Sequence, residues 1–134
     1  MKKILLVILT GVSIASCTKT ISTPQGAASQ NVFLKNADVV VENMVAVPTA
    51  TNSITVSFST SFENNISRIE LMSSASATTF CTVQTIDVTG NSSVRKSYSF
   101  SDSNLKGSTM YYMLRFKDIN GNWIYSPYLT VKAY

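Results

Sequence analysis

The stretch Tyr111–Val131, YYMLRFKDINGNWIYSPYLTV, constrains the fold of this chain more than any other. Apolar residues alternate with outward-facing ones in Tyr112–Lys117 and again in Tyr128–Ala133, which is the period of a half-buried β-strand. Between these runs lies Asp118–Asn122, which contains Asn120-Gly121, the pair that most readily adopts positive φ in a tight turn. The sequence therefore predicts a β-hairpin against which the rest of the chain packs.

Five earlier segments have the same β character and are separated by turn residues. These predicted strands are Asp38–Val47, Ser53–Thr60, Ser67–Ser73, Phe80–Val88 and Arg95–Ser101. Pro48 either ends the first of them or marks it as an edge strand. The apolar positions of Phe80–Val88 depart from period two, which predicts a bulge. With the hairpin, seven short strands predict an all-β sandwich over residues 32–134.

The N-terminal residues 1–16 have the parts of a secretory signal: two lysines, an apolar run and small residues at the end. The run is too short and too interrupted for a membrane-spanning helix. Ile14-Ala15-Ser16-Cys17 resembles the lipobox of bacterial lipoproteins, and the resemblance implies cleavage before Cys17 and lipid attachment to its sulfur. The alternative is an ordinary cleaved signal followed by a fortuitous cysteine.

Residues 17–31 are rich in Ser, Thr, Gln and Ala and lack periodicity, so they are predicted to form a flexible tether after the lipidated Cys17. Thr18 follows the cysteine, where the lipoprotein sorting rule has an aspartate for retention in the inner membrane. The resemblance therefore implies the outer membrane. Since no acidic cluster follows, a periplasm-facing orientation is expected rather than the cell surface.

A second resemblance covers about Ile66 to Val131. The residues that carry it are Ile69-Glu70-Leu71, Phe80, Gly90-Asn91-Ser92, Tyr98-Ser99-Phe100-Ser101-Asp102, Tyr111-Tyr112-Met113-Leu114-Arg115, Asp118-Ile119-Asn120-Gly121 and Tyr125-Ser126. In this order they are similar to the fibronectin type III-like domains of secreted Bacteroidota proteins. Met72 and Met113 depart from that pattern, which has arginine at both positions. The resemblance implies an immunoglobulin-like, fibronectin type III-like sandwich in which Tyr111–Val131 forms strands F and G.

Leu105–Tyr111 is also similar to the Leu-x-Pro-x-Thr-x-Tyr entry to strand F of fibronectin domains, whose tyrosine hydroxyl forms a structural corner. Spacing selects Tyr111 for that role. Alternation instead places Tyr112 in line with Leu114 and Phe116. Both assignments stay open at this point, and in either the role is structural.

The sequence offers little for catalysis. It contains no histidine, so the commonest general base is missing, and it has no nucleophile elbow, phosphate-binding glycine loop or Cys/His metal spacing. Asp102 and Asp118 lie at strand ends, where aspartate commonly makes hydrogen bonds within turns. The basic residues are scattered, so no nucleic-acid footprint is present. We expect no catalytic residue, metal, cofactor or nucleic-acid partner.

Cys81 is the only thiol that remains if Cys17 is lipidated, so no intramolecular disulfide is expected. One interpretation is a buried strand residue. The other is an intermolecular disulfide, which an oxidising compartment would permit.

Aromatic residues of the last strand provide the candidate binding surface. They are Trp123, Tyr125 and Tyr128, with Tyr134 at the end of the chain. Aromatic side chains offer a large contact area at low entropic cost. The alternative is that Trp123 covers the hairpin and Tyr125 fills the edge of the core. The expected function is a non-catalytic interaction or scaffold module, attached to the membrane through Cys17, whose partner is an envelope protein or, alternatively, a glycan.

Overall fold

A computed structural model of the chain describes residues 17–19 and 32–133. The predicted signal peptide, most of the predicted tether and Tyr134 lie outside the described residues. The described strands are β1 Cys17–Lys19, β2 Val32–Lys35, β3 Val39–Ala50, β4 Ser53–Glu63, β5 Ile66–Ser74, β6 Thr79–Asp87, β7 Lys96–Asp102, β8 Thr109–Asp118 and β9 Trp123–Lys132.

Two antiparallel sheets form the domain. The five-stranded sheet has the order β1-β6-β5-β8-β9, and the four-stranded sheet has the order β2-β3-β4-β7. The prediction of an all-β sandwich is confirmed, but the predicted number of seven strands is wrong. Eight strands lie between Val32 and Lys132, because Val32–Lys35 pairs with β3 through Leu34 and Lys35.

The core lies between the two sheets and follows the alternation seen in the sequence. The inward apolar residues of the central strands are fully or almost fully buried: Ile54, Val56, Phe58, Ile69, Leu71, Tyr112, Leu114 and Phe116. Each side chain of this kind contributes roughly 1.5–3 kcal/mol when it leaves water. Burial of these two facing stripes is what holds the sheets together.

Strand β3 does not end at Pro48, as one alternative predicted, but continues to Ala50. Pro48 pairs with Ile54 of β4, whereas the other neighbour, β2, reaches only as far as Val40–Glu42 of β3. The proline ring therefore sits where β3 has an open side. Proline has no backbone N–H, and no inter-strand hydrogen bond is lost at this open side. This is how proline is accommodated at the edge of a sheet.

The bulge predicted in Phe80–Val88 is present in β6. Leu71 of β5 lies opposite Gln84, and the next residue, Met72, lies opposite Thr82, so Val83 is the extra residue. The bulge lets Val83 and Ile86 pack in the core while Phe80 lies on the outer side of the sheet.

The predicted turn joins β8 to β9 through four residues, Ile119 to Asn122. The Asp118 carbonyl accepts from Gly121 N–H at 3.1 Å, and Gly121 alone of the predicted Asn-Gly pair has positive φ, +91°. The Asp118 carboxylate accepts the backbone N–H groups of Asn120 and Asn122, each at 2.8 Å. Hydrogen bonds from Asn122 and its neighbours lower the pKa of Asp118. This aspartate therefore has the turn role that its position at a strand end predicted.

Tyr112, not Tyr111, is the inward tyrosine of β8. Its side chain is fully buried, and its hydroxyl donates to Asp102 Oδ2 at 2.9 Å. Burial, and then the neighbouring Asp102 carboxylate, raise the pKa of Tyr112 well above its usual range. Tyr111 lies on the opposite side of the strand, where its ring meets Tyr128 edge to face at 5.6 Å.

Candidate binding face of the five-stranded sheet

Trp123, Tyr125 and Tyr128 lie on one face of the sheet, the side turned away from the core. They pair with Lys117, Arg115 and Met113 of β8, respectively. We call these three residues the aromatic column and this side of the sheet the outer face. Tyr125 is the most exposed of the three, at 38%, so the alternative that it fills the core edge is wrong. The structure thus brings the three predicted binding residues together.

A bulge in β9 keeps the column in line. Tyr125 and Tyr128 are three residues apart and would fall on opposite faces of a regular strand. The pairing shifts register between Met113 and Arg115, which gives β9 one extra residue there. The N–H of Leu114 donates to the Ser126 hydroxyl at 2.9 Å, and that hydroxyl donates to the carbonyl of Pro127 at 2.6 Å. The Ser126 side chain therefore replaces a backbone partner that the bulge removes.

Trp123 rests on two cations of β8. The Arg115 guanidinium lies 4.2 Å from the ring centroid and the Lys117 ammonium 5.5 Å from it. Cation–π contacts of this kind contribute about 0.5–2 kcal/mol. Trp123 therefore does cover the hairpin, as one alternative predicted, while remaining partly exposed.

Beneath Trp123 lies a buried ion pair between Arg115 and Glu70. Their side chains are each 7% exposed, and Glu70 Oε2 accepts from Arg115 Nε at 2.7 Å and from Nη2 at 2.6 Å. Thr82 completes the group by donating to Glu70 Oε2 at 3.2 Å. Thr82 Oγ1 also accepts a hydrogen bond from Arg115 Nη2, at 3.3 Å. These bonds fix the guanidinium as a rigid support for the indole ring.

Apolar side chains continue the outer face beyond the ion pair. Met72, Phe80 and Met113 are buried on this side, with Tyr111 and Tyr128 packed against them. Alternation places Met72 and Met113 outward, so their burial means that neighbouring side chains of the same face cover them. The face therefore changes from cationic near the β8–β9 turn to apolar near Tyr128.

The residues below the column were not predicted as part of a site. Alternation did place Met113, Arg115 and Lys117 outward, but it does not identify their neighbours across the hairpin. That information depends on the register of β9. The Ser126-Pro127 bulge sets this register, and the pattern of apolar residues does not reveal it.

Strand β9 is also an edge of the sheet among the described strands. The N–H of Asp118 donates to the carbonyl of Asn122, so the hydrogen-bonded pairs near the turn fall on Asn122 and Ile124. Trp123 and Tyr125 therefore point their backbone N–H and C=O groups away from β8. An extended partner strand can pair with groups of this kind.

At the other edge of the sheet, β1 pairs with β6 and places Cys17 opposite Cys81. Their sulfur atoms form a disulfide. This departs from the expectation that Cys81 has no intramolecular partner. The reason is the register of β1, since the residues after Cys17 pair with Phe80 and Thr79. Of the predicted tether, residues 17–19 thus form a strand.

A second buried polar group lies at the end of β4, near the β8–β9 turn, where the Ile119 N–H donates to the Asn65 carbonyl. The carboxylate of Glu63 is 1% exposed and accepts from Thr60 and Tyr98, each at 2.6 Å, and from Lys96 at 2.7 Å. Burial alone would raise the pKa of Glu63, but the bonds from Lys96, Thr60 and Tyr98 outweigh it and lower the pKa. Its partners Thr60, Lys96 and Tyr98 all lie on strands of the four-stranded sheet, so this group supports the fold.

The outer face of the four-stranded sheet differs from that of its partner. It carries hydroxyls in facing pairs, such as Ser57 and Ser99 with oxygen atoms 3.3 Å apart. Val45 and Val47, 50% and 51% exposed, are its largest exposed apolar side chains near these pairs. Among the described residues, this face carries no row of aromatic side chains comparable with the aromatic column.

The described residues contain no group of three or more His, Cys, Asp or Glu that could hold a metal ion. Over the same ranges, no helix has the length and apolarity needed to cross a membrane. Comparisons with protein-family models, with curated proteins and with solved structures find no match to this chain.

Proposed function

We propose that the protein is a non-catalytic lipoprotein of the bacterial outer membrane whose sandwich binds another protein of the cell envelope. The observation that carries the proposal is the aromatic column, in which Trp123, Tyr125 and Tyr128 share one face of the sheet. Tyr and Trp are among the residue types enriched at protein interfaces, and this face presents both, with Met113 and Arg115 buried beneath them.

The strand order supports a fibronectin type III-like assignment of the sandwich. In immunoglobulin-like sandwiches, strands A, B and E lie in one sheet and C, F and G in the other. Here β3-β4-β7 and β5-β8-β9 follow that order, with β2 beside β3 and with β6 and β1 beyond β5. The Tyr112 hydroxyl bonds to the side chain of Asp102, where the fibronectin tyrosine corner uses a backbone acceptor. The two arrangements serve the same purpose, since each ties strand F to the crossover before it.

Lipid attachment at Cys17 supplies the anchor in this proposal. Two or more acyl chains give stable membrane binding, at about 0.8 kcal/mol per buried methylene. The mature N-terminal peptide from the membrane fraction should begin at Cys17 and carry the mass of a thioether-linked diacylglycerol. An N-terminal peptide that begins at Cys17 without lipid would contradict the anchor. The proposed orientation is toward the periplasm.

Column variants test the binding role. Tyr125→Ala removes the most exposed member without touching the ion pair, and Val47→Ala is the matched control on the other sheet. After crosslinking in intact cells, we expect the wild-type protein to form a defined crosslinked species. Val47→Ala should retain this species, and Tyr125→Ala should lose most of it. A truncated aromatic hot spot costs about 2 kcal/mol, or roughly 30-fold in affinity. Equal crosslinking of the two variants would refute the column as the binding surface.

Binding of a glycan is the second candidate, and the spacing of the column favours it. Successive members lie about 7 Å apart, so their rings form a row about 14 Å long. Aromatic rings in a row suit the flat faces of sugar units. Trp123 is the single tryptophan, so its fluorescence reports on the column directly. Titration with envelope and plant polysaccharides should shift the emission, and no shift with any of them would exclude this candidate.

A further inference from the structure

Two chemical fates compete for the sulfur of Cys17. In the structure this sulfur is bonded to Cys81, and the pairing of β1 with β6 holds the two residues directly opposite each other. Cys17 is exposed, whereas Cys81 is half-buried in β6. A thioether to lipid would require the same sulfur. A single chain can therefore carry the disulfide or the lipid, but not both.

We propose that Cys81 controls lipid attachment by capturing Cys17 in a disulfide under oxidising conditions. This rests on the proposed function, because it assumes that Cys17 is the lipidation site. Cys81 then has a role that neither of its sequence interpretations included. It acts on its own chain, and β1 provides the geometry by presenting Cys17 to it.

Both reactions consume the Cys17 thiol. In capture, the Cys17 and Cys81 thiols reduce an external disulfide, R–S–S–R, which leaves as two R–SH molecules while the Cys17–Cys81 bond forms. In lipid attachment, the Cys17 thiolate attacks the glycerol carbon of a phospholipid, the C–S bond forms, and the headgroup leaves with its phosphate. The thiolate is the nucleophile in both. Consuming it in one reaction removes it from the other.

Pairing of β1 makes capture a local event. Thr18 and Lys19 form ladder pairs with Phe80 and Thr79, so the segment after Cys17 is already aligned with β6. Intramolecular alignment raises the effective concentration of one thiol near the other. Once lipid is attached, the alignment no longer leads to a disulfide, because the modified Cys17 sulfur cannot bond to Cys81. The Cys81 thiol is then left on β6.

The test uses the full chain with its signal, produced in a bacterial host that lipidates proteins, with a small-molecule disulfide added or omitted. Wild type is compared with Cys81→Ser and with Thr85→Ser, a control at an exposed position of the same strand. Intact mass measures the lipidated fraction, and a non-reducing peptide map measures the Cys17–Cys81 bond. Circular dichroism checks that each variant is folded. Cys81→Ala is tested beside Cys81→Ser as a second substitution at the same position.

Added disulfide should lower the lipidated fraction of wild type and of Thr85→Ser while the Cys17–Cys81 peptide increases. Cys81→Ser and Cys81→Ala should keep the lipidated fraction of the untreated protein. Equal loss of lipid in all variants, or wild type that never forms the Cys17–Cys81 bond, overturns the competition and leaves the anchor intact. Absence of lipid from every variant under both conditions refutes the anchor, and the competition with it.

Discussion

Replacing Tyr112 with phenylalanine removes one hydroxyl and leaves the ring in the core. That hydroxyl is fully buried and donates at 2.9 Å to Oδ2 of Asp102, itself 3% exposed. The other carboxylate oxygen accepts the Asn104 N–H at 3.0 Å, and among the described residues Oδ2 has no second donor. Tyr112→Phe therefore leaves a buried carboxylate oxygen without a hydrogen bond.

Hydrogen bonds to charged groups contribute about 1.5–3 kcal/mol to stability, so Tyr112→Phe should lower the free energy of unfolding by that amount. For a domain of this size the midpoint of thermal unfolding should fall by roughly 10 °C. Tyr111→Phe is the matched control one residue away, because the Tyr111 hydroxyl makes no hydrogen bond to another described residue. Its effect should stay within about 0.5 kcal/mol.

The assay is urea unfolding of both variants, followed by circular dichroism. A double-mutant cycle with Asp102→Ala isolates the Tyr112–Asp102 coupling, which should be about 1 kcal/mol or more. A coupling energy of zero, or an equal loss in Tyr111→Phe, would refute the reasoning. The raised pKa of Tyr112 adds a check at alkaline pH. Its contribution is complete below the unfolded pKa of about 10 and is lost as pH rises above it, so the gap between wild type and Tyr112→Phe should narrow there.

Three further predictions concern stability. Glu63→Gln should lower the free energy of unfolding by about 1–3 kcal/mol at pH 7. Because the folded pKa of Glu63 lies below its ordinary value of 4.5, urea unfolding should show this loss shrinking as pH falls from 4.5 through the folded value. A loss that stays constant with pH would contradict this reasoning. Gly121→Ala should cost about 1–2 kcal/mol in thermal unfolding because φ is +91° with no atom near the added Cβ. Gly107→Ala, which meets only ordinary contacts, should be tolerated, and equal losses would remove backbone strain as the cause. Glu70→Ala should lower the free energy of unfolding by roughly 3–5 kcal/mol, because it leaves the buried Arg115 charge unpaired. The double variant Glu70→Leu/Arg115→Met should recover most of this loss in the same assay. No recovery would argue against the unpaired buried charge as the cause.

Local patterns predicted the strands and their buried faces. Ser53–Thr60 shows every apolar residue inward, as its alternation indicates, and the β8–β9 turn forms where Asp118 and Gly121 require it. Alternation also favours Tyr112 over Tyr111, while spacing from Leu105 favours the wrong residue. Period two succeeded because it follows from burial on a single face of a sheet.

Features that join distant segments could not be predicted in the same way. The bond from Lys96 to Glu63 joins residues 33 apart, and the pair Arg115–Glu70 joins residues 45 apart. Neither residue in such a pair has a local signature, because any charged residue on a strand looks solvent-exposed from the sequence. The strand Val32–Lys35 was missed for a related reason, since four residues are too few to establish a period.

The extra residue in β9 has a consequence for how this chain tolerates change in length. Before the bulge Trp123 and Tyr125 face outward, and after it Leu129 and Val131 still reach the core. Deleting Pro127 would restore a regular strand and keep both faces, because Tyr125 and Tyr128 would then be two residues apart. Tyr128 would stay on the outer face and Leu129 in the core. A deletion at a regular position of β9 would instead exchange the two faces from that point on. The bulge is thus a place where this strand can lose one residue without dismantling the aromatic column or the core.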